Sequence, residues 1–456
     1  MAGLSRMTTT IEQIRSAEAL LATVGQDQHV PLATGGTIRY ANLDVAASAP
    51  ALASVHQAVT DTLGFYSSVH RGAGYHSQVS TAAYEQARAA VGRFVGARPD
   101  DQVTVTRNTT DALNLLARAV PGRILVLDIE HHANLLPWRS GSVDTLEAAP
   151  TQRETVIAVT ERLASTRYAA LAVTGLSNVT GEGFALPQLA ELAHRHGARL
   201  IVDGAQLVPH RAVDLAADGI DYLALSGHKL YAPFGAGALI GRADWLDSAP
   251  PYLAGGGAVR QVEVDSVVWT TGPARHEAGT PNVVGAVALA AATTALAELP
   301  AGQLESHEQI LTGQLRQGLS AIDGVSVARI WPDSPEPAGI VTFSVAGLDP
   351  AVLAAALSAE YGIGVRDGRF CAHPLLARLG WPAGAVRASI GLHNRIEDVD
   401  RLILAVSDLV RSGPALRYGI DHSDTVVPLD DRRRLPDHLG GGRLSEQSAG
   451  LRPCAL

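Results

Sequence analysis

Short apolar segments alternate with amphipathic helical segments between about residues 80 and 240 of this 456-residue chain. Several of the apolar segments have no polar position, as is typical of parallel strands that helices cover on both faces. The alternation predicts an α/β fold built on a mostly parallel sheet. The predicted strands are 102–106, 123–127, 169–174, 199–202, 222–225 and 237–240, and the helices between them include 80–95, 111–119 and 187–196.

The pattern changes after residue 302, and the rest of the chain predicts a smaller α+β domain. Its predicted strands are 340–343 and 385–390, and its predicted helices are 304–319, 350–359 and 396–410. We therefore divide the chain into an N-terminal segment (1–35), a large domain (36–300), a small C-terminal domain (301–411) and a tail (412–456). The tail is rich in Gly, Pro, Asp and Arg, which predicts a flexible segment without a function of its own.

Composition excludes several classes of protein. The net charge of −9 gives no electrostatic reason to expect nucleic acid or an anionic membrane as a partner. The most apolar stretch, 283–299, contains Thr293, Thr294 and Glu298, so it predicts a buried helix better than a membrane span. Two cysteines cannot form a disulfide framework, and the first twenty residues lack the apolar core of a signal peptide. We expect a soluble, cytoplasmic protein.

Polar residues follow several predicted strands, where ligands of open α/β sheets collect. Thr109 and Thr110 come after strand 102–106 and begin a helix, so their hydroxyls and backbone N–H groups could bind an anion. Asp203 ends an apolar strand, where a carboxylate is costly without a cationic partner. The pyridinium nitrogen of pyridoxal 5′-phosphate (PLP) is such a partner, and Gln206 is spaced to reach the ring phenol. Both segments are also compatible with ordinary capping residues.

Lys229 follows the strand 222–225 in an apolar neighbourhood that could lower its pKa, as Schiff-base chemistry requires. Ser226 and His228, beside it, could bind a phosphate. The alternative is a solvated loop lysine. Thr280 lies in a tight loop at 278–282, which by itself predicts only a turn.

The run from about residue 41 to 410 resembles the cysteine desulfurases and selenocysteine lyases, class V aminotransferases of PLP fold type I. The matching segments are LDVAA (43–47), VHRGA (69–73), RNTT (107–110), EHHAN (130–134), SNV (177–179), VDGAQ (202–206), SGHK (226–229), EAGTP (277–281) and VRAS (386–389). The resemblance implies a large domain with a mostly parallel, seven-stranded sheet covered by helices, and a PLP-dependent enzyme that acts on a small amino acid. It also implies a homodimer.

The resemblance implies a role for each candidate residue. Lys229 binds the cofactor as an imine and moves a proton, Asp203 pairs with the pyridinium, and His131 stacks on the ring. Gln206 and Asn178 bond the ring oxygen or the substrate. The phosphate is implied to be held by Thr109, Thr110, Ser226 and His228. Thr280 of the partner subunit is implied to join them. Arg387 would bind the substrate α-carboxylate, a task that suits a planar guanidinium, and the alternative is a surface arginine. No residue is assigned to a metal.

Cys371 decides which reaction the resemblance implies. It follows Arg366, Gly368 and Arg369 in a loop whose cations would stabilise a thiolate, and it stands where the family carries its sulfur-accepting cysteine. The implied reaction removes sulfur or selenium from a cysteine-type substrate through a persulfide on Cys371 and releases alanine. A sulfur-acceptor protein is then a possible partner. A small buried apolar residue is the usual alternative for a lone cysteine, and Cys454 receives no role.

Phe370 departs from the family pattern, in which His commonly precedes this cysteine. The departure leaves other reactions open. One alternative is a C–S lyase of an S-substituted cysteine, and others are a class V aminotransferase or epimerase. A non-catalytic scaffold on the same fold is disfavoured by the presence of Lys229, Asp203 and Arg387.

Overall fold

A seven-stranded mixed sheet organises the larger part of the computed structural model, which describes residues 18–422 and 424–444. The first strands are β1 His29–Pro31, β2 Thr37–Arg39, β3 Ala41–Asn42, β4 Asp101–Thr106, β5 Ile124–Leu127, β6 Val143–Leu146, β7 Ala170–Thr174, β8 Arg199–Asp203, β9 Tyr222–Ser226 and β10 Gly237–Arg242. The later strands are β11 Val259–Val262, β12 Val267–Trp269, β13 Val325–Val327, β14 Ile340–Val345, β15 Ile363–Gly364, β16 Arg366–Gly368, β17 Ala385–Ser389, β18 Tyr418–Ile420 and β19 Val426–Pro428.

The α-helices of the described residues pack on this sheet and on a second, smaller one. They are α1 Ala53–Leu63, α2 Tyr75–Phe94, α3 Thr109–Ala117, α4 Gln152–Ser165, α5 Leu186–Arg195, α6 Ala243–Ser248, α7 Val283–Ala297, α8 Gln303–Ser320, α9 Pro350–Tyr361, α10 His373–Arg378 and α11 Ile396–Ser412.

The strand order of the large sheet is β4-β10-β9-β8-β7-β5-β6. Strand β10 is antiparallel to both of its neighbours, whereas the strands from β9 to β6 are parallel. Six strands therefore end at the same edge of the sheet. The predicted α/β fold is confirmed, and each of the six predicted strands is present. The seventh, β6, was not predicted because its sequence VDTL lacks an apolar run and lies half-exposed at the sheet edge.

Helices cover both faces of the large sheet, as its continuously apolar strands predict. Alternate residues of the central strands belong to two separate cores, with Leu125 and Leu223 in one and Val126 and Tyr222 in the other. Because strand residues alternate between faces, both faces must be apolar when both are covered.

The smaller sheet has the antiparallel order β13-β14-β17-β16. Its apolar face and the helices α8, α9 and α11 enclose a core of their own that includes Phe343 and Val386. The short strand β3 pairs with β15, so a segment from the N-terminal part of the chain joins this second region. The pairing also places Asp44, just after β3, beside Ser389 of β17.

Part of the segment for which composition predicts a flexible tail is folded. Strands β18 and β19 form a hairpin that packs against α9. Glu360 of α9 accepts hydrogen bonds from the Tyr418 hydroxyl at 2.7 Å and from the Ala415 N–H at 3.0 Å. A buried carboxylate with several donors fixes a polar segment that composition alone would leave unstructured. The remaining tail residues, 445–456 with Cys454, lie outside the described residues.

The apolar stretch predicted as a buried helix is α7, whose central residues Ala288 and Leu289 are buried. Within residues 18–422 and 424–444, the structure has no helix both long enough and apolar enough to cross a lipid bilayer.

Candidate active site

A cavity of about 580 Å³ opens where the strands of the large sheet end, between that edge and the smaller sheet. Its wall combines residues that are far apart in sequence. The lining residues include Asp44, Asn108, Thr109, Thr110, His131, Asn178, Asp203, Gln206, Ser226, His228, Lys229, Arg366, Phe370, Cys371 and Arg387.

The N-terminus of α3 faces the end of β9 across the cavity wall. Asn108 caps the helix, with its Oδ1 accepting from the Asp111 N–H at 3.0 Å. The Thr109 N–H donates to Ser226 Oγ at 2.8 Å, and the two side-chain oxygens are also 2.8 Å apart. A Cβ on Gly237 would lie 2.7 Å from the Asn108 Cα, so only glycine permits this approach. Helix N–H groups and hydroxyls together suit a phosphate.

Asp203 lies at the end of β8 and is 4% exposed. Its Oδ1 accepts from the Ala205 N–H at 3.0 Å. Burial raises the pKa of Asp203, although this hydrogen bond and the charge of Lys229 act to lower it. Gln206, three residues after Asp203 in the buried turn, donates its amide to the Ala46 carbonyl at 2.7 Å. A cationic ring nitrogen beside Asp203 would offset the cost of burying the carboxylate.

Lys229 projects into the cavity after β9, and burial lowers its pKa to about 8. The charge of Arg387 also lowers the pKa, whereas Asp203 and Cys371 raise it. Lys229 is moreover the only lysine in the chain, in which Lys and Arg together number 36. Sequence reasoning did not use this signal, although it restricts imine chemistry on side chains to one position.

His131 follows β5 and presents a neutral ring to the cavity. Burial, and then the charges of Lys229, His132 and Arg387, lower its pKa to about 3. Its Nδ1 accepts from the Ala133 N–H at 3.0 Å, which leaves the proton on Nε2. An uncharged aromatic ring held in this way suits stacking on a planar ligand. His228 is also kept neutral, because burial and Lys229 lower its pKa to about 4.

Arg387 of β17 is 3% exposed and reaches the cavity from the smaller sheet. Its Nη1 donates to the Asn178 carbonyl at 2.9 Å and its Nη2 to Asp44 Oδ1 at 3.3 Å. Its buried Nε has no hydrogen-bond partner among the described residues. A guanidinium in the wall of a cavity suits a carboxylate ligand.

Cys371 and Phe370 occupy consecutive left-handed backbone conformations, with φ of 53° and 52°. The His132 N–H donates to the Cys371 carbonyl at 2.8 Å, and Asn178 Nδ2 donates to the Phe370 carbonyl at 2.8 Å. Cys371 lines the cavity, and a negative charge on it acts to raise the pKa of both Lys229 and Arg387. The thiol therefore lies within the electrostatic reach of two cations.

Eleven of the twelve residues singled out from the sequence line this cavity, and only Thr280 does not. Thr280 is exposed, in the loop before α7. Sequence reasoning assigned no role to Asp44 or Glu130. Asp44 carries a signal, a charged residue in the otherwise apolar segment LDVAA. Glu130 is fully buried, and burial raises its pKa to about 8.

Comparisons with known proteins agree with this geometry. The sequence model of the aminotransferase class-V family matches residues 41–402. A probable cysteine desulfurase of Vibrio cholerae is 36% identical over 78% of this chain and 90% of its own length. This chain belongs to the cysteine desulfurase family. The chain spans 60% of the length of the longer probable cysteine desulfurase 1 of Mycobacterium leprae, to which it is 35% identical.

The fold also matches solved structures of the family. The cysteine desulfurase CsdA (S-sulfonic acid) of Escherichia coli superposes with a TM-score of 0.73 at 34% identity, over 82% of this chain and 95% of that one. Family membership makes the chain a PLP-dependent enzyme. Its residues fit the cofactor, since one cavity holds a buried carboxylate, a buried amine, a neutral histidine ring and a phosphate-type cradle of hydroxyl and N–H donors.

Proposed function

We propose that this family member is a cysteine desulfurase, which takes sulfur from a cysteine-type substrate onto Cys371 and releases alanine. The observation that carries the proposal is the position of Cys371 in the wall of the same cavity as Lys229 and Arg387. PLP chemistry alone does not select a reaction, because the same cofactor serves many. A thiol beside the reacting carbon atoms selects sulfur transfer.

The chain's own residues divide the work of binding the cofactor. Lys229 would hold it covalently through Nζ, because a lowered pKa favours the neutral amine that this bond requires. Asp203 would keep a proton on the ring nitrogen, and His131 would pack on the ring face. Thr109 and Ser226 bind the phosphate, together with Thr110 and His228. When bound, PLP withdraws electrons from the substrate Cα.

Arg387 binds the substrate α-carboxylate and so places the substrate sulfur toward Cys371. The Lys229 amine would take the Cα proton and later return one. The thiolate of Cys371 attacks the substrate sulfur, so an S–S bond forms as the Cβ–S bond breaks. The bonding electrons stay with the carbon fragment, which gains a proton to become alanine, and Cys371 carries the persulfide. No external oxidant or reductant is needed.

We further propose a homodimer in which Thr280 completes the phosphate site of the partner subunit. Its exposure, outside the cavity of its own chain, supports this role. Selenocysteine is a second substrate of the same chemistry. A reducing cytosol is the proposed compartment, and a thiol-bearing acceptor protein is the proposed partner that removes the persulfide sulfur.

The test is a reaction of the purified holoenzyme with L-cysteine, analysed for products and for the mass of the protein. We expect alanine, together with a gain of one sulfur atom on the peptide that contains Cys371. Pyruvate and free sulfide without a modified peptide would instead indicate a C–S lyase. Incubation with an S-substituted cysteine separates the two further, because a lyase turns it over and a desulfurase does not.

A further inference from the structure

Phe370 lies between Arg387 and Cys371 in the cavity wall. The proposed function gives carboxylate binding to Arg387 and sulfur capture to Cys371. The ring of Phe370 is 6% exposed, and the guanidinium carbon of Arg387 lies 5.2 Å from the ring centroid. A guanidinium over an aromatic face is attracted by the negative charge of that face, more strongly where water is excluded. The ring therefore fixes the guanidinium from one side.

Asn178 connects the same two residues through the backbone. Its Nδ2 donates to the Phe370 carbonyl at 2.8 Å, and its own carbonyl accepts from Arg387 Nη1 at 2.9 Å. The ring of Phe370 thus contacts Arg387 directly, and the backbone carbonyl of Phe370 is linked to Arg387 through Asn178. With Nη2 bonded to Asp44, the guanidinium is held on three sides and keeps Nε unused.

The backbone of Phe370 also determines where Cys371 points. Left-handed φ values are disfavoured for residues with a side chain, and here two of them are consecutive. The bond from Asn178 to the Phe370 carbonyl and the bond from the His132 N–H to the Cys371 carbonyl hold this turn. A turn held at both carbonyls keeps the Cys371 side chain in the cavity wall.

We propose that Phe370 is a positioning residue, which orients Arg387 toward the carboxylate of an α-amino acid and orients Cys371 toward the substrate sulfur. The inference rests on the proposed function and extends it. It predicts that the aromatic ring at position 370 contributes to selectivity for a free α-carboxylate. Because Arg387 places the substrate sulfur toward Cys371, loss of the ring weakens carboxylate binding and, with it, sulfur capture.

Binding of L-alanine and of L-alaninamide to the holoenzyme tests the first part. Both are followed by the visible absorption of the bound cofactor, and only L-alanine has a carboxylate. In Phe370→Leu we expect the dissociation constant for L-alanine to rise about two- to thirtyfold, with that for L-alaninamide unchanged. Phe370→Tyr keeps the ring and should restore L-alanine binding. Phe184→Leu is the control, because Phe184 packs on Trp331 at 4.9 Å between ring centroids, outside the cavity wall.

The second part is tested by the rate of persulfide formation on Cys371 at saturating L-cysteine. That rate should fall in Phe370→Leu and recover in Phe370→Tyr. Equal L-alanine affinities in parent and Phe370→Leu, or equal weakening for both ligands, would overturn the proposal. A parent enzyme that forms no persulfide, while Phe370→Leu still loses affinity for L-alanine alone, would contradict the proposed function and support the link between Phe370 and Arg387.

Discussion

Burial shifts the pKa values of several ionisable side chains in the cavity. Burial lowers the pKa of Lys229 to about 8 and that of His131 to about 3, and it raises the pKa of Asp203. In each case the low-polarity surroundings disfavour the charged form. At physiological pH the His131 ring is therefore neutral, and a larger fraction of the Lys229 amine is neutral than for an ordinary lysine.

The rate at which the apo-protein takes up PLP should increase with pH and level off above about 8. Only the neutral Lys229 amine forms the covalent bond, and its fraction grows as the pH rises through its pKa. The measurement is the growth of visible absorption after PLP is added between pH 6 and 10. Lys229→Ala should show none of this absorption. A rate that stays constant from pH 6 to 9 would contradict the assignment.

Because Lys229 is the only lysine, the site of attachment can be checked on the intact protein. Borohydride reduction should add one pyridoxyl-phosphate mass to the parent and none to Lys229→Ala. A modified Lys229→Ala protein would show that the cofactor binds elsewhere.

At the scale of elements, the sequence predicted the central strands and the residues that follow them. Short apolar runs such as that of β7, alternating with helical segments, favour a covered parallel sheet, and polar residues at the ends of parallel strands meet at one edge. The sequence could not predict which cations face Cys371. Arg366 and Arg369 are its sequence neighbours, but the left-handed turn brings the thiol within reach of Lys229 and Arg387.

The sequence also did not predict the hairpin β18–β19, because the contacts that hold it are not local. Its strands are three residues each, too short for periodicity, and its anchor lies on a distant helix. Glu360 lies 55 to 58 residues before the N–H groups of residues 415 and 416 and the hydroxyl of Tyr418, so it meets them only in the folded chain.

Glu360→Ala should loosen this hairpin. The change removes three hydrogen bonds to a charged acceptor, each of which contributes at most about 1.5–3 kcal/mol, and less where water can replace it. We expect faster limited proteolysis between residues 413 and 444, with activity retained. Glu191→Ala, at an exposed position of α5, is the matched control. Equal cleavage rates in the two variants would mean that Glu360 does not anchor the hairpin.

At the scale of the whole molecule, a second copy of the chain is proposed to complete the site. Eleven candidate residues meet in one cavity, whereas Thr280 is exposed and does not line it. The resemblance gives Thr280 a role in phosphate binding, so we expect it to act in the site of a partner subunit. Homodimers with twofold symmetry are the commonest oligomers.

Subunits that carry Lys229→Ala should complement subunits that carry Thr280→Ala. Each mixed dimer then contains one intact site, so random mixing restores about a quarter of the sites, and purified mixed dimers restore about half. Activity is measured after co-expression with two different affinity tags. If the mixed dimers are no more active than the two parent variants, Thr280 does not act across the interface.

The central claim is that Cys371 accepts the substrate sulfur, and the most direct measurement is alanine formation from L-cysteine by Cys371→Ser. This variant should retain bound PLP, since its cofactor contacts are unchanged, and should lose most alanine formation. Cys454→Ser is the matched control and should react like the parent. If Cys371→Ser forms alanine from L-cysteine at the parent rate, the persulfide mechanism is contradicted.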